Sequence, residues 1–371
     1  MKPSLRPKIA LLCIGLILGL LLLEPALRLS HYPPPHVSGS NAASEVPLEE
    51  KNQLGHRGQP IEYEDGDFVI VLLGDSQVEA NTATPFDRMP ERELERVLNA
   101  QSGKRVKVFT VGGAGYGQDQ EWLALQRYFK KYRADMVILW ETPRNDVWNN
   151  TFPTADRVGD YAKPTFWLED GVMMGPSEAI GENWLSPIHT FAIIQLAVPA
   201  YRDWVWGFRL PPPYTPITGY AGEVKELSGI WNTIDMVYSF ENLNTEKSHL
   251  SMYLMPASAR LEYGLTLTQT LLQQIQQTTQ ANNAIFVPFY LDIENRMAAG
   301  VYVILWEGKY YRVSRSQFDQ NVSTLNADLP VLKIPVTVSA WAVSEENQHL
   351  NQPANDQVIA ELAARIAGMI P

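Results

Sequence analysis

The chain has 371 residues, 45% apolar and 19% charged, and its 30 Lys and Arg against 41 Asp and Glu leave a formal net charge of −11. That length fits one large domain or two ordinary ones, and the acidic balance excludes a nucleic-acid binder, whose surface must be basic enough to displace counterions. The single cysteine, Cys13, excludes disulfides, catalytic thiols and cysteine-ligated metals from everything that follows it.

At the start, Lys2, Arg6 and Lys8 precede an unbroken apolar run, Ile9 to Leu23. Basic residues before such a run hold the start in the cytoplasm and send the following chain across the membrane. The run is short against the ~20 residues of a usual span, so a cleaved signal peptide is the alternative. Glu24-Pro25-Ala26-Leu27-Arg28 offers no small-x-small cleavage site, which favours an uncleaved anchor over 1–30. Residues 31–65, with Pro33-Pro34-Pro35, read as a tether. The expected working domain is then 66–371, outside the cytoplasm, periplasmic or at the cell surface.

From Phe68 strands and helices alternate. Strands are expected at 68–73, 106–111, 136–140, 284–290 and 331–336, and helices at 87–99, 118–132 and 265–280. Val358, Ile359, Leu362 and Ile366 give a last helix its 3.6-residue period. Near-continuous apolar strands separated by helices predict a parallel sheet covered on both faces, a flavodoxin-like three-layer α/β/α sandwich. Residues from about 150 to 261 break the rhythm. They hold Pro211-Pro212-Pro213, many aromatic residues and an apparent helix around 188–206, and read as an irregular insertion beside the sheet.

Sites in such sheets form at the carboxyl ends of the strands. There the chain places Ser76 after the first strand, the glycine turn 111–117 (VGGAGYG) after the second, and Arg144-Asn145-Asp146 after the third. The turn fits no Gly-x-Gly-x-x-Gly frame and no acidic residue follows at the expected distance, which argues against a dinucleotide site. It does provide unshielded backbone N–H groups of the kind an oxyanion requires, and an asparagine amide adds a donor. A serine nucleophile needs a base and a group that orients it. Of the six histidines, His31 and His36 lie in the tether, His56 precedes the sheet, and His189 and His249 fall in the insertion. His349 remains, between the last strand and the last helix, with Glu346 three residues before it and Glu345 at a less suitable offset.

These blocks resemble the GDSL-type esterases, or SGNH hydrolases, and in particular their membrane-anchored bacterial members. Gly74-Asp75-Ser76 matches the first block, with Gln77 where the family usually has Leu. Gly115, Asn145 and His349-Leu350-Asn351 match the other three, and KPTFWLEDG at 163–171 is similar to the insertion of the anchored relatives. The family pattern has Asp where this chain has Glu346. The resemblance implies a Ser76–His349–Glu346 triad, an oxyanion hole of the Ser76 and Gly115 N–H groups with the Asn145 side chain, and no metal or cofactor. It implies cleavage of short acyl esters, O-acetyl groups on polysaccharide being the natural substrate, with the membrane and an acetylated glycan as partners. An O-acyltransferase on an exported glycan and a catalytically inactive envelope binding protein are the alternatives.

Overall fold

A computed structural model describes residues 46–80, 84–153, 163–177, 206–226, 241–293, 297–344 and 349–371, with isolated positions between 8 and 26. Its strands are β1 (Phe68–Gly74), β2 (Val106–Gly112), β3 (Met136–Glu141), β4 (Thr165–Glu169), β5 (Val172–Ser177), β6 (Ile285–Ile293), β7 (Val301–Trp306), β8 (Lys309–Ser314) and β9 (Leu332–Val336). Its α-helices are α1 (Ser76–Glu79), α2 (Pro90–Gln101), α3 (Gln118–Phe129), α4 (Pro143–Thr151), α5 (Ala259–Ala281), α6 (Arg315–Leu325) and α7 (Gln352–Ile366).

Five strands form the central sheet in the order β2-β1-β3-β6-β9, every pair parallel. β1 is buried at all seven positions because both of its faces are covered. Val69, Val71 and Leu73 pack with Leu125 of α3 and with Leu265 and Ile275 of α5. Phe68, Ile70 and Leu72 pack with Leu94 and Leu98 of α2 and with Val358 and Leu362 of α7. This is the expected three-layer sandwich, and a strand buried on both sides is continuously apolar for that reason. The order reverses at β1, so the chain leaves β1 toward β2 and returns to β3, opening a crevice above the carboxyl ends of β1 and β3.

β2 is an edge strand, and side chains rather than another strand satisfy its outward backbone. Along α2, Asn99, Glu95 and Glu91 stand four residues apart, a rise of about 6 Å, close to the ~6.6 Å between alternate strand residues. They accept from the N–H groups of Val106, Val108 and Thr110 at 2.8, 3.0 and 2.6 Å. The outward carbonyls of Val108, Thr110 and Gly112 bond to side chains of Gln59, Asn52 and His56 at 2.6, 2.8 and 2.8 Å. The stretch expected as a tether, 31–65, is thus folded against the sheet from residue 46 onward; 31–45 lies outside the described residues. Its polarity serves edge capping, which closes β2 to pairing with another chain.

The insertion contributes the antiparallel hairpin β4–β5 and the aromatic residues Phe152 and Trp206, which cluster with Trp148 of α4. Trp206 Nε1 donates to the Thr151 carbonyl at 2.9 Å, docking the insertion on α4. Lys163, fully buried, pairs with Asp119 at the start of α3. The helix expected around 188–206 lies outside the described residues except at its end. So do residues 9, 10, 13, 16, 17, 20 and 21 of the expected anchor, and among the described residues no helix is long and apolar enough to cross a membrane. The hairpin β7–β8 and helix α6 were not anticipated between the fourth and fifth sheet strands.

The parallel register sets Gly74 beside Gly112, and a Cβ at Gly112 would lie 2.1 Å from the Gly74 carbonyl oxygen. No side chain is there to yield, so the backbone itself must move. Gly112→Ala should therefore lower unfolding stability by more than ~2 kcal/mol in urea titrations, whereas Gly103→Ala, with open space around it, should stay within about 0.5 kcal/mol of wild type.

Candidate active site

β1 ends where Gly74 must be small: a Cβ there would meet Val78 Cγ2 at 2.6 Å and the Trp140 carbonyl at 3.0 Å. Asp75 then caps α1, its Oδ1 accepting from the Gln77 N–H at 2.8 Å. This fixes half-buried Ser76 as the first residue of a single helical turn that ends at Ala80 in the left-handed region, φ 58°. The second oxygen of Asp75 crosses the crevice. Asn145 Nδ2, in the first turn of α4, donates to Asp75 Oδ2 at 2.9 Å. An amide nitrogen carries two hydrogens, so this bond fixes the Asn145 plane and leaves a second N–H on the amide.

The glycine turn is positioned from below by a residue that the sequence did not single out. Glu79, one turn after Ser76, is buried, and its Oε2 accepts from the Ala114 N–H at 2.9 Å. That contact orients the peptide next to Gly115, which adopts φ +72°, a conformation glycine reaches without steric cost. Burial pushes the Glu79 carboxyl above its usual range. Arg57 grips the same helix, donating to the carbonyls of Glu79 at 3.3 Å, Ala80 at 3.4 Å and Thr84 at 2.8 Å.

His349 arrives on a loop pinned on both sides. Its carbonyl accepts from the Val343 N–H at 3.0 Å, and the Asn351 N–H donates to Trp341 at 2.7 Å. Asn351 then caps α7, accepting from the Ala354 N–H at 3.1 Å. One contact joins this loop to the Ser76 loop: the Leu350 N–H donates to Gln77 Oε1 at 3.4 Å. The residue after Ser76 thus touches the residue after His349, and Gln77 does so with its side-chain amide. Glu346 and Glu345 lie outside the described residues.

The other histidines divide cleanly. His56 is buried and donates from Nδ1 to the Gly112 carbonyl; burial holds its pKa down at about 4, so it is neutral and structural. His349 aside, His249 is the one other described histidine. It meets a carboxylate, Nδ1 donating to Glu241 Oε1 at 2.6 Å, and stands edge-on to Trp148 at 5.9 Å. This pair belongs to the insertion and packs on α4 one turn beyond Asn145.

Beneath the crevice lies a buried acidic network. Asp146 Oδ2 accepts from the Thr142 N–H and from Gln118 Nε2, each at 2.7 Å. Gln118 in turn accepts from Asn150, which also donates to Thr268. Burial and then the charge of Asp75 push the Asp146 pKa up to about 8, and Glu121 and Glu141 are driven upward chiefly by burial as well. Near neutral pH this network therefore holds protons, which lets four or more acids lie close together without mutual expulsion.

No family model and no curated protein matches this chain. Among solved structures it is similar to TesA (10% identity, TM-score 0.37, covering 81% of this chain and 99% of that one). It is likewise similar to the psychrotrophic esterase EstA from a Pseudoalteromonas species, inhibited by monoethylphosphonate (10%, 0.37, 81% and 98%). A lipase/acylhydrolase from Enterococcus faecalis is more distant (13%, 0.26, 81% and 96%). At such low identities and TM-scores, the case for a chemistry rests on the residues of this chain.

The Asp146 shift has a sign that can be measured. Its folded pKa is raised above the ordinary carboxyl value, so its contribution to stability is complete at low pH and is lost as pH rises toward about 8. Asp146→Asn, an amide mimic of the protonated acid, should remove this loss. Urea unfolding from pH 4 to 8 should show the variant gaining on wild type as pH rises, with parallel curves disproving the buried protonated acid.

Proposed function

We propose that this chain is an extracytoplasmic serine hydrolase of the GDSL/SGNH type, cleaving short acyl esters. The reading is supported by the Asp75–Asn145 bond, which ties a side-chain amide to the residue preceding Ser76 at the reversal point of the sheet. Ser76 Oγ attacks the ester carbonyl as His349 takes its proton, and the tetrahedral oxyanion is held by the Ser76 and Gly115 N–H groups and the free N–H of Asn145. His349 returns the proton to the leaving alcohol, and water, activated by the same imidazole, releases the acid. Glu346 holds the imidazole tautomer and stabilises its charged form.

O-acetyl groups on an envelope or exported polysaccharide are the substrate this reading favours, from the resemblance together with the location. The location rests on the basic residues before Ile9–Leu23 and on exposed Leu11, Leu12, Ile14, Leu18 and Leu22, apolar side chains that the core does not cover. The segment anchors the domain to the membrane.

Ser76→Ala and His349→Ala should each lower kcat/KM for p-nitrophenyl acetate by at least ~10³, with circular dichroism unchanged. Asn145→Ala should cost ~10²–10³ in kcat, about 3–4 kcal/mol. A fluorophosphonate probe should label wild type and not Ser76→Ala; a wild type that takes no label and cleaves no ester would refute the hydrolase.

A further inference from the structure

The hydrogen bonds of neighbouring residues mark out two open backbone donors. In α1 the N–H groups of Gln77 and Val78 donate to the Asp75 side chain and carbonyl at 2.8 and 3.2 Å. In the glycine turn the Ala114 N–H donates to Glu79 Oε2 at 2.9 Å, and the Tyr116 N–H to the Gly113 carbonyl at 3.1 Å. The N–H groups of Ser76 and Gly115, beside these, make no hydrogen bond among the described residues. Glu79 governs which donor the glycine turn leaves open. By holding the Ala114 N–H toward α1, it leaves the next N–H, that of Gly115, available. Among the described residues this is the one side-chain hydrogen bond that joins α1 to the glycine turn.

Arg57 holds the far end of the same turn. A helix of one turn has little stability of its own, and α1 ends at left-handed Ala80. The buried Arg57 guanidinium donates to the carbonyls of Glu79, Ala80 and Thr84, which fixes that end. His56 delivers it there. Its Nδ1 bond to the Gly112 carbonyl at 2.8 Å and its edge-on contact with Tyr116 at 6.3 Å dock the preceding residue on the glycine turn. Two consecutive residues of the edge-capping segment therefore grip both loops. Burial raises the Glu79 carboxyl, while the Ala114 N–H and then the Arg57 charge favour its ionised form. Arg57 thus acts on α1 through its carbonyls and on the Glu79 acceptor through its charge.

We propose that Glu79 and Arg57 are positioning residues of the oxyanion hole, fixing the spacing and direction of the Ser76 and Gly115 N–H groups. Neither touches the ester; each acts through the loops that carry the donors. The inference rests on the hydrolytic reading and extends its machinery into a segment of tether-like composition. The oxyanion exists only in the tetrahedral state, so a donor aimed away from it weakens the transition state and not the bound ester. Loss of either positioning residue should therefore appear in kcat and leave KM in place.

The test compares the full-chain wild type with Glu79→Leu, Glu79→Gln and Arg57→Lys on p-nitrophenyl acetate, counting active sites by end-point fluorophosphonate labelling. Glu79→Leu keeps the volume and removes the acceptor. Its kcat per labelled site should fall ~10–10²-fold, with KM within about twofold of wild type. Glu79→Gln keeps an oxygen for the Ala114 N–H and should hold kcat within about fivefold of wild type. Arg57→Lys keeps the charge but loses the planar fork, and should lower kcat about fivefold or more. It carries the test alone should Glu79→Leu fold poorly. Unchanged kcat in folded Glu79→Leu or Arg57→Lys, a loss confined to KM, or a Glu79→Gln as slow as Glu79→Leu would overturn the inference. A wild type that takes no label and cleaves no ester sinks the hydrolytic reading, and this inference with it. An active wild type with indifferent variants sinks this inference alone.

Discussion

The Asp75 carboxylate ties the end of β1 to the first turn of α4, and the geometry of the candidate site depends on that tie. One oxygen shapes the turn that presents Ser76 and the other orients the Asn145 amide. The two elements belong to separate strand–helix units and meet only because the sheet order reverses between them. A carboxylate suits the position because it accepts on both oxygens, and hydrogen bonds to a charged group are stronger than neutral ones. The two glycines beneath, Gly74 and Gly112, allow the strand ends to approach closely enough for these loops to converge.

Around this centre the protein places acids where water cannot reach them. Glu79 orients the glycine turn, Glu91 satisfies an edge strand, and Asp146 braces the start of α4. Each makes hydrogen bonds to backbone or amide donors, while among the described residues the fully buried cation in this region is Lys163, paired to Asp119. Burial pushes Glu91 up to about 7 and Asp146 to about 8. Protonation, rather than pairing with bases, is thus the main way these groups lose the cost of being buried.

The five sheet strands were legible because burial on both faces leaves an unbroken apolar signal, and the placement of Ser76, Gly115, Asn145 and His349 was legible because each follows a strand of that sheet. Other features needed three dimensions. Polar residues at 52, 56 and 59 resemble tether composition, and only the free edge of β2 gives them partners. Glu79 and Asp146 look like ordinary helix-surface acids until the turn and α3 fold over them. The hairpin β7–β8 had a readable sign: Glu307-Gly308 between two β-rich runs takes the paired positive φ values, 47° and 74°, of a tight hairpin turn. It was obscured because its outer face carries exposed Val301 and Leu305, so polar alternation is weak.

Arg57 gives the molecule a mechanical character. Its guanidinium clasps the carbonyls at the base of α1, and its Nε meets Glu50 at 2.8 Å, so the chain enters the fold by way of the turn that carries Ser76. Any pull transmitted along the N-terminal segment would load this clasp and the neighbouring edge caps before it reached β1. The turn that holds Ser76 would then feel strain before the sheet does, and the sheet's interior would feel it last.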